Sequence, residues 1–180
     1  MENILCTGSK GQLGSELYEI SKSISSYNFY FTDINNLDIS NFELLKKYIL
    51  RKKIHIVINC AAYTAVDKAE VEYKKANLIN NISVGNLAKL SKEYAFKLVH
   101  ISTDYVFDGN NNKPYEVDDK VNPKSVYGKT KLYGENEIVK INPSNSIIIR
   151  TSWLYSKFGN NFVKKMLELS KKKSELKVIS

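Results

Sequence analysis

Two cysteines, two histidines, three prolines and one tryptophan are all that 180 residues hold of these types. Each shortage excludes something. Cys6 and Cys60 sit in apolar runs ("NILCTG", "VINCAAY") without metal-ligand spacing, which leaves no disulfide framework and no metal site. They read as reduced core thiols of a cytoplasmic protein. His55 in "KIHIVIN" and His100 in "KLVHIS" read as core or sheet-end histidines rather than catalytic groups or ligands. No apolar stretch approaches the ~18 residues that cross a bilayer, and the N-terminus runs into a strand pattern without a secretory signal, so no membrane partner is expected. Internal repeats and low-complexity tracts are missing too.

What the chain has in excess is positive charge, a formal +8. Its lysines are scattered, and the densest runs (Arg51-Lys52-Lys53 and Lys171-Lys172-Lys173) fall where helices should end, a position that favours cations. The charge therefore reads as a solvated surface, with no nucleic-acid partner.

Short apolar runs alternate with amphipathic stretches. Strands are expected at 3–7, 28–32, 54–60, 97–102, 146–151 and 176–179, and helices at 12–24, 41–52, within 67–95, at 127–141 and 160–173. Continuously apolar strands separated by helices predict an α/β fold: a Rossmann-type, doubly wound parallel sheet with helices on both faces, forming one domain over 1–180. Within 67–95, "VDKAE" reads as a helix start with Asp67 as N-cap and Glu70 at the capping-box position. The Asn/Asp/Pro-rich stretch 108–124 is the one long loop, of the kind that serves as a lid or binding segment.

"CTGSKGQLGSEL" follows the first strand and opens the first helix, with Gly8, Gly11 and Gly14 spaced G-x-x-G-x-x-G. Glycine permits a tight turn and close backbone approach to a pyrophosphate at a helix N-terminus, with Gln12 and Leu13 in the same turn. Nineteen residues past Gly14, Asp33 ends the second strand, where a carboxylate binds adenosine ribose hydroxyls and favours NADH. Lys10 pulls toward the 2′-phosphate of NADPH, so both cofactors stay open. In "LDIS", Asp38 and Ile39 are placed to flank the adenine, and an Asx turn or N-cap at Asp38 or Ser40 explains the same residues.

"VYGKTKLYGE" puts Tyr127 and Lys131 one helical turn apart. With 12 tyrosines and 27 lysines and arginines, such a pair alone is a surface accident. Its surroundings change that reading. "TGSKGQLG" (7–14), "VINCAAYTAVDKAE" (57–70), "ISTDYVFDG" (101–109), "YGKTKLYGE" (127–135) and "RTSWLYSKFGNNF" (150–162) together resemble the extended short-chain dehydrogenase/reductases, most nearly the dTDP-4-dehydrorhamnose reductase branch, over nearly the whole chain.

The resemblance implies an NAD(P)H-dependent oxidoreductase of nucleotide-sugar biosynthesis that reduces the C4 ketone of dTDP-4-dehydro-6-deoxy-L-mannose to dTDP-L-rhamnose. It implies Tyr127 as general acid, Lys131 as holder of the nicotinamide ribose that also lowers the tyrosine pKa, and Thr103 as a hydroxyl polarising the carbonyl. Asp104 and Trp153 match sugar-contacting positions, and Ala62, Tyr63 and Thr64 a segment along the cofactor. Asn80 matches a structural asparagine, with Asn81 beside it as the competing assignment. Taken singly, Thr103 reads as a turn start and Trp153 as core. Two other functions stay open. One is a different nucleotide-sugar epimerase or reductase, although Thr103-Asp104-Tyr105 lacks the glutamate of the 4,6-dehydratases. The other is a non-catalytic regulatory subunit like that of methionine adenosyltransferase, against which "RTSW" weighs. The branch is typically about a hundred residues longer. On this reading most of the C-terminal sugar lobe is absent, and the chain alone is expected to bind cofactor with weak or no turnover. Mg2+ and a homodimer belong to some full-length members of the branch, and no residue here supports either.

Overall fold

The computed structural model describes residues 1–141, 144–173 and 175. Five parallel strands form one sheet in the order β2-β1-β3-β4-β5: β1 (Glu2–Thr7), β2 (Tyr27–Phe31), β3 (Ile56–Asn59), β4 (Lys97–Thr103) and β5 (Ser146–Thr151). The strand expected at 176–179 lies outside the described residues. Helix α1 (Gln12–Ser21) joins β1 to β2, and α2 (Phe42–Lys52) carries the chain back past β1 to β3. With right-handed crossovers, that reversal puts α1 on one face of the sheet and α2 on the other. The doubly wound fold expected from the sequence is present, and the reversal opens a crevice between the C-terminal ends of β1 and β3.

The stretch expected to hold helix signals over 67–95 divides into α3 (Val66–Ala69), α4 (Tyr73–Asn77), a π turn (Leu78–Ile82) and α5 (Ser83–Tyr94). Ala65, not Asp67, precedes α3, and no side chain caps it. Asp67 lies one residue inside the helix, too far along to act as its cap. Glu70 instead accepts a hydrogen bond from the Val126 N–H (2.8 Å) and so begins α6 (Val126–Ile141), 56 residues later. Helix α2 follows its local chemistry: Asn41 caps Leu44, Glu43 sits in the first turn, Arg51 and Lys52 in the last, and Lys53 ends it in the left-handed conformation. Asp38 makes the Asx turn, accepting from Ser40 N–H at 2.8 Å. Helix α7 (Phe162–Ser170) starts at the Asn161 cap.

The main core is one-sided. Leu5, Val57 and Leu98 stand side by side across β1, β3 and β4, and Leu45, Ile49, Val84, Leu87, Leu90 and Ile138 cover them from α2, α5 and α6. Edge strand β5 leaves Ile147 and Ile149 exposed, and no described residue of α7 is buried. Helix α6 comes close enough to the π turn that a Cβ on Gly134 would overlap the Asn80 carbonyl, and one on Gly128 the Tyr105 carbonyl. Both obstacles are backbone, so neither can rotate away. Gly134→Ala should destabilise the protein by about 1–3 kcal/mol, read as a lower urea midpoint with an unchanged slope.

Candidate active site

The C-terminal ends of β1, β3 and β4 open into a cleft of about 770 Å³, within the size range of small-molecule sites. Its floor near β1 is the glycine turn. Gly8 has φ +64°, and a Cβ there would lie 2.6 Å from the Ala61 backbone nitrogen, so the turn sits directly against the chain leaving β3. Gly8 accepts from the Gly11 N–H at 3.0 Å. Gly11 precedes α1 without any side-chain cap, and no acidic residue stands in the first turn. The first N–H groups of α1 are thus free to meet an anion.

Asp33 closes the next wall. One carboxylate oxygen accepts from the Lys10 N–H (3.0 Å) and the other from its neighbour Ile34 N–H (2.9 Å), binding the end of β2 to the glycine turn. Gln12, Leu13, Gly14, Asp38 and Ile39 line the same half of the cleft, as do Ala62 and Thr64. Tyr63 is the exception. Its backbone N–H and carbonyl pair with the buried Asn80 side chain at 2.8 and 3.0 Å, and its ring is not part of the lining. Asn80 also donates to Thr130 Oγ1 (3.2 Å), which donates to the Tyr127 carbonyl. Among the described residues, the Asn81 side chain instead donates to Asn77, four residues back.

Tyr127, Lys131, Thr103, Asp104 and Trp153 line the other half. Thr103 accepts from the Tyr105 N–H (3.2 Å), starting the 3-10 turn Asp104–Val106, and donates to Asp104 Oδ1 (3.1 Å). It starts a turn and faces the cleft at once. Trp153 is not core: it is 74% exposed, holds φ 51°, and meets Phe162 edge-on with ring centres 5.2 Å apart. A bulky residue in that conformation is a strained arrangement of the kind found at ligand clamps. Lys129 and Tyr133 point outward.

The Tyr127 phenol is pushed up by burial, against which a Thr103 hydrogen bond acts downward, and Asp104 and Tyr105 push further up. The lysine lowering expected from the resemblance does not appear among these causes. Lys131 Nζ instead donates to the Ile101 carbonyl (2.6 Å) and contacts His100 Nε2 (3.3 Å). Burial lowers Lys131 to about 8, opposed by the nearby Glu135 and Cys60. Cys60 borders the cleft, and its thiol is pulled down by a hydrogen bond with Cys6 and by Lys131. No group of three or more His, Cys, Asp or Glu among the described residues is arranged to hold a metal ion.

The whole chain, residues 1–180, matches the model of the RmlD substrate binding domain. The chain belongs to that family. It is 40% identical to the dTDP-4-dehydrorhamnose reductase of Aggregatibacter actinomycetemcomitans, an alignment covering all of this chain and 61% of that protein. Among solved structures, dTDP-4-dehydrorhamnose reductase from Clostridium acetobutylicum superposes with TM-score 0.93 at 48% identity, covering 98% of this chain and 62% of that one. The Bacillus anthracis enzyme in complex with NADP gives 0.91 at 41%, covering 97% and 62%. This RmlD-family chain therefore spans about three-fifths of the length of the relatives it matches.

Some of the cleft lining carries no signal in the sequence. Ile79, Tyr105 and Gly159 line the cleft, yet apolar and glycine residues at such spacings look like any core or turn. Glu135 was also missed. It is nearly buried, accepts from Ser102 Oγ at 2.5 Å, and takes a two-pronged hydrogen bond from Arg150 at 2.7 and 3.1 Å. This pair ties α6 to β4 and β5 directly behind Lys131. The loop 108–124 carries no cleft-lining residue, contrary to the lid reading. Asp108 pins it by accepting from Asn110, Tyr115 and Asn122, and Tyr115 stacks on Phe107 at 4.1 Å. Arg150→Met should cost about 3 kcal/mol of stability by stranding the buried Glu135 carboxylate. The double variant with Glu135→Gln should recover part of that loss, both read by urea unfolding.

Proposed function

We propose that residues 1–180 are the cofactor-binding and proton-donating part of an enzyme that reduces the C4 ketone of dTDP-4-dehydro-6-deoxy-L-mannose to dTDP-L-rhamnose. The observation that carries this reading is one cleft holding both an uncapped glycine-rich helix N-terminus and the Tyr127–Lys131–Thr103 group. Its relatives support it: those named above are dTDP-4-dehydrorhamnose reductases, and one is solved with NADP. The cleft suits a nicotinamide dinucleotide, since the glycine turn puts the uncapped N-terminus of α1, where a pyrophosphate would sit, on the cleft.

NADPH or NADH, when bound, supplies the hydride. The chain's own residues do the rest. The α1 N–H groups take the pyrophosphate, and Asp33 with Lys10 faces the adenosine ribose. Asp38, Ile39, Ala62 and Thr64 form the walls along the cofactor, with Tyr63 holding that segment through Asn80. Lys131 orients the nicotinamide ribose through the hydrogens it does not give to Ile101. Tyr127 donates its phenolic proton to the C4 oxygen as that oxygen gains charge, and Thr103 donates a second hydrogen bond to it. For this the Thr103 hydroxyl turns from Asp104 toward the sugar. The high phenol keeps the proton in place until charge develops, which suits an acid better than a base. Asp104 and Trp153 contact the sugar. The protein would act in the cytoplasm, where dTDP-sugars are made.

Three measurements test the reading. Tyr127→Phe in the intact protein should leave NADPH affinity within about twofold and lower kcat for dTDP-4-dehydro-6-deoxy-L-mannose about 10²–10⁴-fold. Near-normal kcat would remove Tyr127 as the acid. Lys131→Ala should weaken cofactor binding as well as turnover. The charged Lys131 donates to the ribose more strongly than the amine does, and it loses its proton near pH 8. NADPH affinity should therefore fall as pH rises from about 7 to 9, and Lys131→Ala should flatten that dependence.

A further inference from the structure

One polar row crosses the sheet beneath the cleft. Two residues beyond the apolar row of Leu5, Val57 and Leu98, the same face presents Thr7, Asn59 and His100, paired in register across β1, β3 and β4. All three are fully buried or within 1% of it. Polar groups in such a place need partners, and they find them in one another. The Thr7 hydroxyl donates to Asn59 Oδ1 (2.6 Å), and Asn59 Nδ2 faces His100 Nδ1 at 3.0 Å. His100 Nε2 then faces Lys131 Nζ at 3.3 Å.

The way the Asn59 amide is turned, with Oδ1 toward Thr7 and Nδ2 toward the ring, points to where the imidazole proton sits. Because the Thr7 hydroxyl uses Asn59 Oδ1, the amide offers N–H to Nδ1, which must accept. Burial, reinforced by the Lys131 charge, holds His100 well below its usual pKa, so the ring is neutral and carries one proton. That proton is on Nε2, aimed at the lysine. An ammonium has no lone pair to receive it. An amine does: it can donate to Ile101 O, accept from Nε2–H and keep one N–H for the cleft.

We propose that His100 is a positioning residue for Lys131, its Nε2–H stabilising the uncharged amine at the end of the buried chain Thr7–Asn59–His100. The inference rests on the reading of Lys131 as the lysine of the active pair. The chain of donors beneath the lysine makes loss of its proton easier.

Other charged and titratable groups around the pair are accounted for. On α6, Glu135 is engaged by Arg150 of β5 and Ser102 of β4, and Tyr127 lies on the cleft side. Asp104, after β4, accepts from Thr103. The free Cys60 and Cys6 thiols influence each other, Cys6 pushed up and Cys60 pulled down by the pair. Glu135 and Cys60 favour the ammonium and burial favours the amine, a preference to which the Nε2–H of His100 would add.

The test does not need turnover, so it stands apart from the success of the proposed reaction. In the intact protein, ring 15N–1H correlations should place the His100 proton on Nε2. A proton on Nδ1, or on both nitrogens, overturns the proposal. The Lys131 titration, followed by 13C NMR at Cε, should shift upward by about half to one pH unit in His100→Phe, the worth of one lost hydrogen bond. Asn59→Asp should also shift it upward, because a carboxylate demands Nδ1–H and turns Nε2 into an acceptor for ammonium. An unchanged or lowered midpoint in either variant overturns the proposal. If His100→Phe fails to fold, the wild-type ring and Asn59→Asp decide it. In a cofactor-binding protein the fall in NADPH affinity with pH should move by the same amount.

Discussion

A lysine side chain 1% exposed, at the C-terminal end of a parallel sheet, is the constraint around which the rest is arranged. Buried ammonium is unfavourable, which brings Lys131 to about 8. The unfolded chain holds that proton up to its ordinary pKa near 10.5. The stability cost is therefore present in full below about pH 8 and fades as pH rises toward 10.5. Several groups close to the lysine moderate this. Ile101 gives a carbonyl, Glu135 a charge, and Arg150 and Ser102 keep Glu135 in place.

The same constraint explains how helix α6 is seated. To bring Lys131 under the cleft, the helix must lie close to both the π turn and the 3-10 turn after β4. Gly134 and Gly128 mark those two approaches. Asn80 stands where three segments meet: the chain leaving β3 at Tyr63, the π turn, and α6 at Thr130. A π turn adds a residue to the helical ladder, and here it lets one buried side chain bond in two directions. Helix α6 and the segment leaving β3 are thus joined by a single amide.

The core below is less even than the sheet suggests. Helices α2, α5 and α6 cover one face well, while Ile147, Ile149, Leu167 and Trp153 remain exposed near β5 and α7. The chain spans about three-fifths of its relatives' length, and these surfaces lie in its last third. Their exposure follows from the strand order, since β5 is an edge.

The sequence by itself determined the element order, the parallel sheet and most residues of the cleft, because apolar period and glycine spacing are local. Gly8, Asp33 and Thr103 were legible from their places at strand ends, whereas Tyr127 and Lys131, on helix α6, stood out only through the resemblance that the surrounding motifs carry. Tertiary structure alone decided the partners. Glu70 looked like the cap of its own helix and begins another 56 residues away. The acidic-polar stretch 108–124 looked like a lid and is fastened by Asp108. His100 looked like an ordinary core histidine, and nothing in "KLVHIS" says that Asn59 and Lys131 flank it. Those pairings depend on strand register and helix seating. Those of Glu70 and His100 join residues 31 to 56 apart, a separation at which a chain carries no local signal of contact.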